Sequence, residues 1–493
     1  MQTEKIDRRR YLKYIASFVI GAVLAGGSVA AYYASTGPAK EVITRTVTTT
    51  VTGPATTVTR TVTVTATPPP TPTPTPSPTP TPTPTPPPTP PSPTPLPDKI
   101  VVGFTDPLSG ALAYDGREFF LGHRIAEKWI NEIYGGVQLR GKRLKIELKY
   151  YDDETKKELV VSLYERLITV DKVHVLMAPY GSTLTFAAAP IIERYKVIAL
   201  AGGAASDIIY TQHGYRYLVQ TLCPASRYHH SVMEMVKSLD PNARISLIYK
   251  DDEFLRLVAS GVRERAKALG LTIVSDKSFP PGAKDLTPLL TEVAPLKPDV
   301  IITGQHTGEV EFVAKQIMDF GINPKLLAMV GPFTDAFLKA FGTYAEGLVY
   351  PSQWEPGMGY SPDAAKKLGI EWFGPTQDQV FKIFSELAPG REMNYLQAIG
   401  AQPLLVLARA IEKAQSLDSD AIRRVLNDMH IMTPFGIFKI DPATGLQIGL
   451  KMPAVQIQGG KRVVVWPPDV ATGKPYYPIP TWSEKKSGKL AIP

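Results

Sequence analysis

One cysteine, Cys223, stands in a chain of 493 residues. That excludes an intrachain disulfide and a cysteine-rich zinc site. A Gly-x-Ser-x-Gly elbow, a His-Glu-x-x-His pair and a phosphate-binding glycine loop are also missing, and Gly202-Gly203 is too short for a dinucleotide loop. The chain therefore lacks the signatures of common hydrolases, zinc peptidases and nucleotide-binding enzymes. The formal net charge of +8 is spread along the sequence. No basic block is interleaved with aromatics, so nucleic acid is not an expected partner. Charge is absent altogether from Thr61 to Pro97, where 18 of the 47 prolines fall between Pro68 and Pro97.

What is present divides the chain into parts. Residues 1–13 carry Lys5, Arg8, Arg9, Arg10 and Lys13, and Tyr14 to Ala34 is a run of 21 uncharged residues. That run is long enough to span a bilayer. A cleaved signal peptide is the alternative, since Ser28-Val29-Ala30 is a small-residue site, and Arg8-Arg9 in its basic flank resembles a twin-arginine export address. In either case the basic flank places the bulk of the chain outside the cytoplasm. Residues 35–97 form a linker of Val and Thr followed by a Thr-Pro repeat. Such a repeat favours polyproline II, a semi-rigid stalk that could reach roughly 90 Å at ~3.1 Å per residue, and its density of threonine suits O-glycosylation.

From Asp98 the pattern alternates strand and helix. Ile100 to Phe104 and Leu144 to Tyr151 read as strands, with a helix over Gly116 to Tyr134 between them. Val173 to Ala178, Leu184 to Arg194 and Val197 to Ala201 then make a βαβ unit. Parallel strands place the loops Tyr180-Gly181-Ser182-Thr183 and Gly202 to Ser206 at one carboxyl edge, where open α/β sheets bind ligands. Near Cys223-Pro224 the pattern restarts, with strands at Ile245 to Tyr249, Leu271 to Val274, Val300 to Thr303 and Leu326 to Val330. Tyr150-Tyr151-Asp152-Asp153-Glu154 and Tyr249-Lys250-Asp251-Asp252-Glu253 each end a strand and begin a helix. These acids read as caps of helix N-termini rather than as metal ligands. His229-His230 has no second cluster at metal-ligand spacing.

Several segments in order resemble the periplasmic-type (type I) solute-binding proteins of ABC importers, in the branched-chain amino acid and amide-binding branch. They are Val102 to Gly110, Asp152-Asp153, Ala178 to Ser182, Phe279 to Asp285, Pro298-Asp299-Val300 and Thr433 to Gly436, and the likeness runs from about Lys99 to Gly449. The resemblance implies an α/β fold of two Rossmann-like parallel-sheet lobes joined by a three-segment hinge, after the transmembrane or signal helix and the Thr/Pro-rich stalk. The first lobe is expected from 98–221 with 347–420, the second from 222–346 with 421–466, and a C-terminal tail from 467–493. Hinge segments are expected near Leu222 to Pro224 and Tyr350 to Ser352.

The function implied is capture of a small solute by closure of the two lobes, and its delivery to permease subunits in the membrane. The chain would act as a monomer on the extracytoplasmic surface, without catalysis, cofactor or metal. A ligand-sensing surface receptor module and an extracellular hydrolase stay open as alternatives. The implied ligand contacts are Tyr114, Tyr180, Gly181, Ser182, Gly203, Ala204 and Ala205 from the first lobe, and Phe254, His306 and Phe333 from the second. Small residues let ligand oxygens approach backbone N–H groups, and a serine hydroxyl both donates and accepts. Amino-acid binders of the family commonly carry a threonine at the position of Ala205 and an acid near that of Phe333. An unpartnered buried ammonium costs several kcal/mol, so an amino acid would need Asp115 or Asp207. The chain's apolar residues there point to an amide, a carboxylate or another small polar molecule with an apolar tail.

Overall fold

In the computed structural model, which describes residues 95–468 and 470–488, the alternation of the sequence becomes two large sheets and one small one. The first sheet is built from β1 (Lys99–Asp106), β2 (Val137–Leu139), β3 (Lys142–Asp152), β4 (Val175–Met177), β5 (Ala199–Ala201) and β6 (Leu218–Gln220), in the order β2-β3-β1-β4-β5-β6. Only the β2–β3 hairpin is antiparallel. The second takes β7 (Arg244–Lys250), β8 (Thr272–Phe279), β9 (Val300–Gly304), β10 (Leu326–Met329) and β11 (Val349–Pro351) in parallel. After the small third sheet of β12 (Glu371–Trp372), β13 (Ile431–Thr433) and β14 (Gly436–Phe438), the antiparallel pair β15 (Ala454–Gln458) and β16 (Lys461–Trp466) completes the second sheet beside β11. The uncharged run 14–34 and almost all of the Thr/Pro-rich linker lie outside the described residues. Among the described residues no helix is long and apolar enough to cross a membrane.

The helices that bear on the site are α1 (Ala113–Lys128), α2 (Ser182–Tyr195), α3 (His230–Leu239), α4 (Glu253–Leu269), α5 (Tyr395–Ala414) and α6 (Trp482–Ser487). Helix α5 is apolar on nearly every side and nearly all of it is buried, as expected of a helix that crosses a core rather than coating one. Its start is fixed by Asn394, whose side chain accepts from the Leu396 N–H while its own N–H donates to Gln397. Helix α4 begins at Asp252, whose carboxylate accepts from the Leu255 N–H, and ends at Gly270 in the left-handed region.

The chain divides differently from the expected boundaries. Strand β11 lies in the second sheet, although 347–420 is expected in the first lobe, and residues between 422 and 452 pack into the first-lobe core, although 421–466 is expected in the second. The pairing of β13 with β12 and the burial of Phe435 and Phe438 hold that stretch on the first lobe. The tail is not loose either, because Ile479 and, in α6, Trp482 enter the second core. Three segments cross between the lobes, at 221–224, 351–353 and 452–453, and they are tied together. The Ser352 N–H donates to the Pro453 carbonyl and the Cys223 N–H to Gln353 Oε1.

The two Asp-Asp-Glu sequences do different work. Asp252 caps α4, whereas Asp152 accepts from the Leu108 and Ser109 N–H groups and pins the loop after β1. The helix Lys157–Thr169 has no side-chain cap, so the capping expectation holds only in the second lobe. Asp153 is fully buried, accepting from Thr105 Oγ1 at 2.8 Å and the Thr155 N–H at 3.0 Å, and burial pushes its carboxyl up to about 7. The folded state therefore holds a proton that the unfolded chain releases near pH 4, and this contribution to stability is lost as pH rises from about 4 through 7. Asp153→Asn removes that loss. The variant is expected to gain about 2 kcal/mol over the parent at pH 8 and little at pH 4, read from melting curves at both pH values. An equal effect at the two pH values would contradict it.

Candidate functional site

The loops that follow β4 and β5 meet the loops that follow β9 and β10 across a narrow cleft. On the first-lobe side Gly181 has a φ of 101°, which lets the chain turn sharply from β4 into α2. Its N–H donates to the Gly203 carbonyl at 3.0 Å, and the Tyr180 N–H donates to buried Asp106. These two amides hold the loops together and are spent on the fold. Gly203 is required for another reason, since a Cβ there would lie 2.8 Å from Tyr180 Cα. Ser182 Oγ accepts from the Ser206 N–H at 3.0 Å, which leaves its own hydrogen to donate into the cleft.

On the second-lobe side His306 Nε2 sits 2.8 Å from Asp252 Oδ2, so the cap of α4 also grips the imidazole. Burial works against the imidazolium, but the Asp252 carboxylate, with Asp115 adding to it, raises the His306 pKa above its ordinary value. The rings of Tyr228 and Phe254 meet edge to face at 5.1 Å, and Phe254 leans on His306 at 5.9 Å. Tyr395 and Ile399 of α5 and Leu222 of the hinge complete the wall. The room between the walls is about 30 Å³, enough for one or two waters.

Seven of the ten expected contacts are on this wall: Tyr180, Gly181, Ser182, Gly203, Ala205, Phe254 and His306. Three are elsewhere. Ala204 is buried behind the wall, its carbonyl accepting from Tyr210 and Gln220. Phe333 is buried in the second core against Phe337 and Tyr350, because the chain turns at Gly331 and it is Val330 and Gly331 that face the cleft. Tyr114 stands on the exposed rim, outside this wall.

Of the two acids that could receive an ammonium, Asp207 is engaged by the N–H and hydroxyl of Ser226. Asp115 is buried beside Tyr180, His306 and Thr307, with one carboxylate oxygen unpartnered and its pKa raised chiefly by burial. Among the described residues, no aspartate, glutamate, lysine or arginine lines the cavity itself. Sequence reasoning does not find Tyr228, Tyr395, Ile399, Gln305 or Thr307. The Asp-Asp-Glu repeat is a signal for Asp252, but one that reads only as a helix cap.

A family model described as periplasmic binding protein matches residues 99–461. The Leu/Ile/Val-binding protein homolog 7 of Brucella abortus is 25% identical over 391 residues, which is 75% of this chain and 91% of that protein. Homolog 8 of the same organism is 25% identical over 233 residues, 46% of this chain, and the match spans only 56% of its length. Among solved structures, a solute binding protein of an ABC transporter from Rhodopseudomonas palustris, in complex with 3,4-dihydroxy benzoic acid, superposes with a TM-score of 0.61 at 21% identity. That match covers 74% of this chain and 95% of the other.

Proposed function

The chain belongs to the periplasmic binding protein family, a family of extracytoplasmic solute-binding proteins rather than enzymes, and from that premise we propose that its cleft captures a small monocarboxylate with an apolar, aromatic body. The observation that carries the reading is the charge of the wall. Among the described residues His306, held by Asp252, is the one cavity-lining side chain that readily bears a positive charge, and no carboxylate lines the wall to receive an ammonium. The Ser182 hydroxyl donates to the acid from the first lobe while the charge of the Asp252-held imidazole attracts it from the second, so one ligand group engages both lobes and favours closure. Tyr180, Tyr228, Phe254 and Tyr395 supply faces and edges for a ring. In this reading the captured acid passes to an ABC permease, and residues 14–34 and 35–97 serve as tether and spacer.

A thermal-shift screen with benzoate, benzamide and leucine tests the ligand class. Benzoate at 100 times its dissociation constant is expected to add about 2.7 kcal/mol of stability. A larger response to leucine than to benzoate would overturn the proposal. Protonation gives a second check. The groups acting on His306 are Asp252, Asp115 and Lys250, and their combined effect keeps the imidazole protonated above the ordinary histidine value of about 6.5. Benzoate itself stays ionised there, so its affinity is expected to fall as pH rises beyond that value, measured by calorimetry from about pH 6 to 9. A flat profile would remove His306 from the binding role.

A further inference from the structure

A second and larger cavity, of about 830 Å³, opens on the other side of the hinge. The two cavities share no wall residue. Neighbours in sequence face opposite ways, Leu222 and Tyr228 toward the cleft, Cys223 and Arg227 toward this second space. One wall comes from the second lobe through Arg227, His230 and Glu234, and another from the small third sheet through Met432 and Ile437. The volume is that of a site for a drug-sized molecule.

Two independent features of the wall say what would fill it. The first is apolar surface left uncovered. Of the nine large apolar side chains exposed among the described residues, three, Leu368, Ile448 and Val470, line this cavity. Gathered on one cavity they offer apolar surface for a ligand to cover, whereas single exposed apolar residues need no explanation. The second is unbalanced charge. Glu234 is paired with Arg265, and Ser231 donates to the Met452 carbonyl. Arg227, half-buried, makes no side-chain hydrogen bond or ion pair among the described residues, and neither does Lys451, which also lines the cavity. His230 lies beside Arg227, and burial together with the Arg265 and Arg227 charges lowers its pKa, leaving a neutral ring able to donate one hydrogen bond. A guanidinium without a partner at the polar end of an apolar cavity complements a carboxylate, which it can hold through two N–H groups.

We infer that this cavity is a second binding site, for an amphiphilic monocarboxylate whose acid meets Arg227 and whose hydrocarbon body covers Leu368, Ile437 and Ile448. The site is separate from the cleft and does not depend on which solute the cleft holds.

Decanoate, titrated calorimetrically into the full chain below its micellar concentration, is the probe, with decyltrimethylammonium as a cation of the same chain length. Decanoate is expected to saturate one site per chain and to bind at least tenfold more tightly than the cation. Arg227→Ala, which removes a charge-assisted hydrogen bond, should weaken it about tenfold or more. Ala364→Trp, placed on the rim of the same cavity, should weaken it comparably by filling space. Circular dichroism and melting curves establish that each variant is folded, and either variant suffices if the other is not. Absence of saturable binding, equal binding of the two amphiphiles, or unchanged decanoate affinity in a folded variant would overturn the inference. A failure of benzoate to bind the cleft leaves every one of these outcomes readable.

Discussion

Gly400→Val is expected to destabilise the protein by about 3 kcal/mol or more, the upper range for forcing bulk into a packed interior. Gly400 on α5 and Gly122 on α1 are the points where two helices approach backbone to backbone. A Cβ on Gly400 would lie 2.1 Å from the Phe119 carbonyl oxygen, and one on Gly122 would lie 2.1 Å from that of Gln397. Neither obstacle is the flexible end of a side chain, so the helices themselves would have to separate. Separation would also break the contact between His123 Nδ1 and the Gly400 carbonyl at 2.6 Å. Because α5 carries Tyr395 and Ile399 into the cleft, solute binding should fall with stability. Gly141→Ala is the control. That glycine has a φ of +80° but open space around it, so only backbone strain of about 1 kcal/mol is expected. Urea unfolding of the full-length variants would show the contrast, and a parental midpoint for Gly400→Val would mean that the two helices do not meet as described.

His306→Leu is expected to weaken benzoate binding at least 30-fold. The substitution removes the positive charge from the cleft and leaves the partly buried Asp252 carboxylate without its imidazole partner, and truncating one member of such a charge pair costs about 2–5 kcal/mol. Asp252→Asn separates charge from position. Its amide oxygen can still cap α4 by accepting from the Leu255 N–H, while the group that holds the imidazole in its protonated form is gone. Binding should weaken less, by about tenfold, and the pH at which it declines should move downward. A merely structural role for Asp252 would weaken binding without moving that pH. A benzoate affinity unchanged in His306→Leu would put the acid elsewhere in the cleft and sink the proposed ligand chemistry.

About half of the cleft wall is legible in the amino-acid sequence. Tyr180 to Ser182 and Gly203 can be placed because each follows a short apolar strand directly, and parallel strands bring such loops to a common edge. Phe333 cannot. It follows β10 just as closely, yet Gly331 turns the chain so that its ring enters the second core. Ala204 fails for a related reason, since in a tight loop one residue can face inward while its neighbours face the ligand. Tyr228 comes from the turn between the first hinge segment and α3, Tyr395 from a helix far along the chain, and nothing in their own surroundings marks them as wall residues.

By itself the sequence determined the two α/β lobes, the order of their strands along the chain, the loops at their carboxyl edges and the absence of disulfide and hydrolase signatures. Those properties are local, written in the period of apolar residues and in glycine at turns. Tertiary structure alone decided that β11 and β15–β16 return to the second sheet while residues 422–452 stay on the first. It also decided that Asp252 grips His306 across 54 positions, and that a second cavity with an unpaired Arg227 lies behind the hinge. Such contacts join residues far apart in sequence, and which of them form depends on which surfaces the whole chain can bury together, a property that no single window of residues contains.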